Sequence, residues 1–79
     1  MNYEIVIDRA ALKFISKQPE KLRILKSIYR LPDGDILKMS GRYNLFRLRV
    51  GDYRVIYSID ENKKVIRIIE VGNRGDVYK

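Results

Sequence analysis

The chain has 79 residues, contains neither cysteine nor histidine, and has a formal net charge of +7. This composition excludes disulfide bonds, thiolate metal sites and every catalytic site that needs a histidine base. The charge is uneven, because residues 1–37 have seven Lys or Arg against five Asp or Glu, whereas residues 38–79 have ten against five. A basic half indicates an acidic partner, most commonly nucleic acid, and the alternative is a solvated basic surface.

The first half of the chain predicts one strand followed by two helices. Residues 3–7 (YEIVI) are β-branched and partly alternating, which favours a strand. A helix from Arg9 to Lys17 follows, with the Asp8 carboxylate as its cap and with Leu12 and Ile15 on its apolar face. The second helix is expected to have Pro19 in its first turn and to place four apolar residues along one stripe: Leu22, Leu25, Ile28 and Tyr29. Residues 31–35 (LPDGD) end it, and residues 36–41 form a connector of unassigned structure.

The second half predicts three strands, because its apolar period changes to two at about residue 43. Arg47 and Arg49 share one face of the first of these strands, and Arg54 lies on the next. Gly51-Asp52 between them fits a type II′ hairpin turn. Residues 65–71 (VIRIIEV) are apolar on both faces, as expected for a strand in the interior of a sheet.

These elements predict an α+β fold in one domain spanning residues 1–79. The order β-α-α-β-β-β gives a small, mainly antiparallel four-stranded sheet that includes the N-terminal strand, and the two-helix hairpin packs on one face of that sheet. The other face is left for Arg47 and Arg54, while the first strand can flank either edge. No apolar run approaches the ~20 residues of a membrane span, and no secretory signal is evident, so we expect a cytoplasmic protein.

The side chains available for chemistry are arginine, lysine and tyrosine, and they suit one reaction in particular. An RNA strand supplies its own nucleophile, the 2′-hydroxyl, which attacks the adjacent phosphate without a metal or cofactor. Arginine binds phosphate oxygens bidentately and stays charged, and a tyrosine with a lowered pKa can move protons. Arg74 and Tyr78, four residues apart in the tail GNRGDVYK, can meet such a site.

Ordinary structural roles are the alternative for each of these residues. Arg47 and Arg49 can be solvent-facing strand residues paired with an acid such as Glu70. Tyr78 can pack its ring at the sheet edge. Asp33 and Asp35 lie in a Pro-Gly turn, where turn formation is their expected role.

Two segments, FRLRVGDYRVIYSID (46–60) and VIRIIEVGNRGDVY (65–78), closely resemble toxins of the RelE/ParE superfamily from bacterial toxin–antitoxin modules. The lead-in DGDILKMSGRYNLFRLR and the helical hairpin before it are also typical of that group. For the RelE branch, the resemblance implies a ribosome-dependent mRNA endoribonuclease with a basic site on the concave face of the sheet. Residue by residue, it implies four catalytic residues: Arg47, Arg54, Arg74 and Tyr78. Three further basic residues are expected to contact RNA: Lys38, Arg42 and Arg49.

One position departs from the RelE pattern, because Leu45 stands where those toxins have a second basic residue. The missing charge weakens catalysis or is supplied by Lys38 or Arg42. The ParE branch shares the fold but is described as poisoning DNA gyrase, and a third possibility is an inactive homologue that only binds its antitoxin. The expected partners are a cognate antitoxin, the ribosome and mRNA, with no membrane, metal or cofactor.

Overall fold

A computed structural model describes residues 3–41 and 44–73 and shows two helices and five strands in that part of the chain. The elements, in chain order, are β1 (Glu4–Ile7), α1 (Arg9–Ser16), α2 (Lys21–Tyr29), β2 (Ile36–Lys38), β3 (Leu45–Val50), β4 (Tyr53–Asp60) and β5 (Val65–Asn73). The predicted α+β class and the order of its elements are confirmed. The described helices are too short to cross a membrane, since the longer one, α2, has nine residues.

The sheet has the strand order β1-β5-β4-β3-β2, and its pairs are antiparallel except for β1 with β5, which run parallel. The prediction of four strands missed β2, which lies in the connector and pairs with the edge of β3. β2 has three residues, so its alternation is too short to be recognised from sequence. β5 lies between β1 and β4, as its continuous apolar run predicted, and it extends two residues further, through Gly72 to Asn73.

The helices pack on one face of the sheet, and the prediction of their buried side chains is only partly correct. Leu12, Leu22 and Tyr29 are 47%, 66% and 61% exposed. Ile15 and Ile28 are buried as predicted, and the other buried helix residues are Ala11 of α1 and Ile24 of α2. The sequence of α2 has two apolar stripes at helical spacing, and periodicity alone does not say which one faces the sheet.

The covered face of the sheet forms a core around Tyr57, which is fully buried with its ring stacked on Phe46 at 5.5 Å between centroids. Val55, Ile66 and Ile68 complete this layer, and each is fully buried. Side chains of a strand alternate between its two faces. Because Val55 and Tyr57 of β4 face the helices, Arg54 and Ser58 of the same strand point away from them.

The β3–β4 hairpin has the predicted two-residue connection, because Val50 pairs with Tyr53 across Gly51 and Asp52. Gly51 has φ of 57°, which a type II′ turn requires at its first central position and which glycine adopts without strain. This turn fixes the register of the two strands and thereby places Arg49 directly opposite Arg54.

Asp8 stands at the N-cap position of α1, yet its side chain makes no capping hydrogen bond. Its two carboxylate oxygens instead accept hydrogen bonds from Nε and Nη2 of Arg67, at 2.8 and 3.0 Å. The predicted capping role is therefore wrong. A guanidinium offers the carboxylate two charge-assisted donors in matching geometry, which are stronger than hydrogen bonds from neutral backbone N–H groups.

Candidate functional site

The register of β3 and β4 brings three arginines to the face of the sheet opposite the helices, called the open face below. Arg49 pairs directly with Arg54, and Arg47 pairs with Ile56. Directly opposed residues have Cβ atoms about 4.5–5.5 Å apart and project to the same side of the sheet. Two residue pairs of the hairpin, Arg49 with Arg54 and Arg47 with Ile56, therefore place three fixed positive charges side by side on the open face.

These arginines line one cavity of about 220 Å³, together with Asp35, Ile36 and Leu37. We call it the arginine cavity. Arg47 and Arg54 are half-buried and Arg49 is exposed. Leu37 stands directly opposite Arg47 on β2 and is 54% exposed, so it forms an apolar wall beside the guanidinium groups. The cavity thus combines a cationic lining with an apolar wall.

The base of the open face is also partly apolar. Ile56 is only 6% exposed although the helices lie on the other side of the sheet. It sits between Arg47 on β3 and Glu70 on β5. Gly72 is opposite Arg54 and places no side chain beside it. An apolar base lowers the local dielectric, which strengthens the interaction of the arginines with an anion.

Among the residues that the structure describes, Asp35 provides the carboxylate in the lining of the arginine cavity. Its Oδ2 accepts a hydrogen bond from Nε of Arg49 at 2.9 Å, and its carbonyl oxygen accepts one from the Arg49 backbone N–H at 3.0 Å. The acid considered from sequence, Glu70, lies opposite Ile56 and therefore two strands away from Arg49. The carboxylate beside Arg49 comes from the turn before β2.

A fourth arginine, Arg67, lies at the other end of the open face, opposite Ser58. Its hydrogen bonds hold the pKa of the Asp8 carboxyl below its ordinary value, and those same bonds raise the pKa of the Arg67 guanidinium. Because Asp8 follows β1 and Arg67 belongs to β5, this pair joins the two parallel strands. Arg67 is thereby neutralised within the fold.

The structure does not bring Lys38 to the arginine cavity. Lys38 pairs with Phe46, whose ring packs on the core, so its side chain starts on the helix-bearing side at the sheet edge. Leu45, the position that departs from the RelE pattern, shares the open face with Arg47. The predicted residues Arg42, Arg74 and Tyr78 lie outside the described residues.

The two tyrosines of β4, Tyr53 and Tyr57, belong to the core. Tyr53 is 6% exposed, and its hydroxyl donates to Oε1 of Gln18 at 3.2 Å. Burial raises the pKa of Tyr57 to about 12, which is opposite to the shift that a proton-transferring tyrosine needs. Within residues 3–41 and 44–73, no cluster of three or more acidic side chains is arranged to hold a metal ion.

With this geometry in place, comparison with known proteins gives one decisive result. The family model described as "ParE toxin of type II toxin-antitoxin system, parDE" matches residues 5–78. The chain belongs to this toxin family. Among curated proteins, none matches it.

Solved structures of toxins named RelE resemble this ParE-family toxin closely. The archaeal RelE–RelB complex from Pyrococcus horikoshii has 33% sequence identity and a TM-score of 0.78, over 96% of this chain and 99% of that one. The intact E. coli RelBE toxin–antitoxin complex has 26% identity and a TM-score of 0.65, over 90% and 100%. The RelBE2 complex from Mycobacterium tuberculosis, at 23% identity, shares the fold with a TM-score of 0.74 over 96% and 95%. The toxin therefore has the RelE/ParE fold.

Three residues of the arginine cavity were missed by sequence reasoning: Asp35, Ile36 and Leu37. Asp35 was assigned only a role in the turn, and Ile36 and Leu37 fell within the unassigned connector. The available signal was the local order of residues 35–38 (DILK), in which Ile36 and Lys38 alternate with Leu37. Three residues do not establish a period, so the pairing of β2 with β3 had to be seen in the structure.

Proposed function

We propose that this toxin is a ribosome-dependent mRNA endoribonuclease. The observation that supports it is the convergence of Arg47, Arg49 and Arg54 on one cavity of the open face. Cleavage of an RNA phosphodiester depends mainly on holding the phosphate in position and on neutralising the negative charge that grows on its oxygens. The family match over residues 5–78 supports treating these residues as one toxin domain, which would act in the cytoplasm where mRNA is translated.

In this mechanism the RNA 2′-hydroxyl oxygen attacks the adjacent phosphorus. The O2′–P bond forms, the P–O5′ bond breaks, and the products are a 2′,3′-cyclic phosphate and a 5′-hydroxyl. One proton leaves the 2′-hydroxyl and one reaches the departing O5′. Arg47 and Arg54 bind the phosphate oxygens as negative charge grows on them, and Arg49 holds the neighbouring backbone. The reaction requires no metal and no cofactor.

Arg74 and Tyr78 complete the proposed site by their resemblance to the RelE pattern. Arg74 would bind the same phosphate, and Tyr78 would transfer a proton once the arginines lower its pKa. Lys38 and Arg42 are proposed to bind RNA further along the strand. For Lys38 this means a contact at the sheet edge, outside the arginine cavity.

A cognate antitoxin is the proposed protein partner. The P. horikoshii structure is a RelE–RelB complex and the E. coli structure is a toxin–antitoxin complex, and both resemble this chain over at least 90% of its length. An acidic or amphipathic antitoxin segment would bury part of the basic open face by charge complementarity.

Gyrase inhibition is a second candidate, because the matching family model is named for ParE toxins. Leu45 on the open face also leaves one basic position of the RelE pattern unfilled. Gyrase inhibition predicts DNA damage with intact transcripts, whereas an inactive homologue would bind antitoxin and change neither.

The test is primer extension on a defined mRNA in a cell-free translation reaction, with and without the purified protein. New 5′ ends at in-frame codon positions, formed only when ribosomes are present, are the expected result. Omission of ribosomes is the control. Unchanged transcripts would contradict the nuclease, and a gyrase supercoiling assay on the same preparation would then separate the ParE-like activity from an inactive homologue.

A further inference from the structure

The ion pair between Asp35 and Arg49 lies at the protein surface. Its side chains are 62% and 52% exposed, so water screens their attraction, and such pairs contribute little to stability. Yet Asp35 is held beside Arg49 by two hydrogen bonds, one from the guanidinium and one from the backbone N–H. The backbone bond anchors Asp35 beside β3, and the guanidinium bond places its carboxylate on Arg49, although an exposed ion pair adds little to stability.

The position of this carboxylate is electrostatically significant, because Arg49 and Arg54 are directly opposed on neighbouring strands. Like charges at such positions repel each other, and a nearby anion relieves that repulsion. In the protein without a ligand, the carboxylate of Asp35 is an anion at this place. A phosphate that enters the cavity brings a second negative charge to the same guanidinium.

We propose that Asp35 is an internal competitor of the phosphate ligand. Its carboxylate occupies Nε of Arg49 in the free protein and lowers the affinity of the arginine cavity for a phosphate group. The identity of that group as an RNA phosphodiester rests on the proposed function, but the competition itself can be measured with inorganic phosphate. Asp35 acts through Arg49 and is a positioning residue rather than a catalytic one.

The competition makes the cavity selective for ligands with more than one contact. A lone phosphate must overcome the Asp35 carboxylate with its own charge, whereas an RNA strand adds contacts to neighbouring phosphates and to the Leu37 wall. Removal of the carboxylate should therefore help the small ligand most. Two unit charges about 5 Å apart interact by about 0.8 kcal/mol in water, which corresponds to roughly a fourfold change in affinity.

The experiment is a titration of the ¹⁵N-labelled protein with inorganic phosphate, followed through the arginine side-chain Nε–H signals. The variants are Asp35→Asn and, as a matched control, Asp33→Asn. The control removes the same charge from the same turn, and Asp33 makes no side-chain hydrogen bond among the described residues. We expect roughly 3- to 5-fold tighter phosphate binding for Asp35→Asn and less than about a 2-fold change for Asp33→Asn. Asp35→Glu, which restores the carboxylate, should bind more weakly than Asp35→Asn.

Equal or weaker phosphate binding by Asp35→Asn would overturn the proposal, as would an equal gain in the Asp33→Asn control. It would also be overturned if phosphate shifted none of the signals of Arg47, Arg49 and Arg54, in the wild type or in the variant. Thermal unfolding of each variant verifies that the fold is intact. Cleavage of ribosome-bound mRNA by the wild type is scored separately, so a failed nuclease and a failed competition are distinguishable results.

Discussion

The two ends of the open face both present arginine, but they are balanced differently. Arg67 has a carboxylate of its own, because Asp8 accepts two of its donors. At the other end, the described lining of the arginine cavity has three arginines and one carboxylate, and that carboxylate bonds to Arg49 through Nε. Asp8 is also the less exposed acid, since 27% of its side chain is accessible compared with 62% for Asp35.

The difference shows that an arginine on this face does not by itself identify a binding site. The carboxylates that contact it must also be known. The Arg67–Asp8 pair joins the parallel strands β1 and β5, which is a structural role. The arginine cavity concentrates positive charge between antiparallel strands that a tight turn already joins. Clustered positive charge of this kind is usual at sites that bind anions.

The largest expected effect comes from removing one arginine from each end. Arg54→Ala should lower the rate of ribosome-dependent mRNA cleavage by roughly 10²–10³-fold, because a preorganised charge that stabilises the transition state is lost. Arg67→Ala removes the same charge from the same face and should leave cleavage close to wild type. Primer extension on a defined mRNA measures both rates.

Circular dichroism and thermal unfolding establish that each variant is folded before its rate is compared. If the two variants lost cleavage equally, the general basicity of the face would explain activity, and the arginine cavity would have no special role. Full activity of Arg54→Ala would place the catalytic site elsewhere.

A second experiment changes the cavity until it resembles the Arg67 end. Leu37→Asp introduces a carboxylate directly opposite Arg47, at a side chain that is already 54% exposed, so the fold should tolerate it. Cleavage should fall about 10-fold, since a second fixed anion opposes the phosphate at short range. Leu37→Asn is the matched neutral control and should keep most of the activity. Equal losses for the two variants would indicate that the apolar wall, and not its charge, matters at this position.

The sequence was sufficient to predict the α+β class, the hairpin turn at Gly51 and the common face of Arg47 and Arg54, because these depend on local alternation and on turn chemistry. It did not predict which apolar stripe of α2 is buried, since Ile28 and Tyr29 both fit a helical period. Which stripe is buried depends on contacts between elements that are distant in the chain, and a single sequence does not report such contacts.

The sites show the same division. The three arginines of the hairpin were found because adjacent strands place them by local register. Asp35 and the Asp8–Arg67 pair were missed because each contact joins segments far apart in the chain, by 14 and 59 residues. The sequence predicted a local role for each acid: Asp35 in a turn and Asp8 as a helix cap. The structure adds a hydrogen bond with Arg49 to the role of Asp35, and it replaces the capping role of Asp8 with hydrogen bonds from Arg67.

The smallest expected effect tests the structural role of the balanced pair. The pKa of Asp8 is lowered in the folded protein by its hydrogen bonds with Arg67, so its contribution to stability is complete above the ordinary value of 3.8 and is lost as the pH falls through the folded pKa. Asp8→Asn should therefore be slightly less stable than wild type near pH 7, by the small amount usual for surface ion pairs, and the difference should disappear in strong acid.

Urea unfolding of the wild type, Asp8→Asn, Arg67→Ala and the double variant, each at several pH values, measures this contribution as a coupling between the two residues. The coupling should be present at neutral pH and absent once the carboxyl is protonated. A coupling that persisted unchanged in acid would mean that the two side chains interact by packing and not by charge. In that case Arg67 would retain an unbalanced charge, and the contrast between the two ends of the open face would have to be explained by shape.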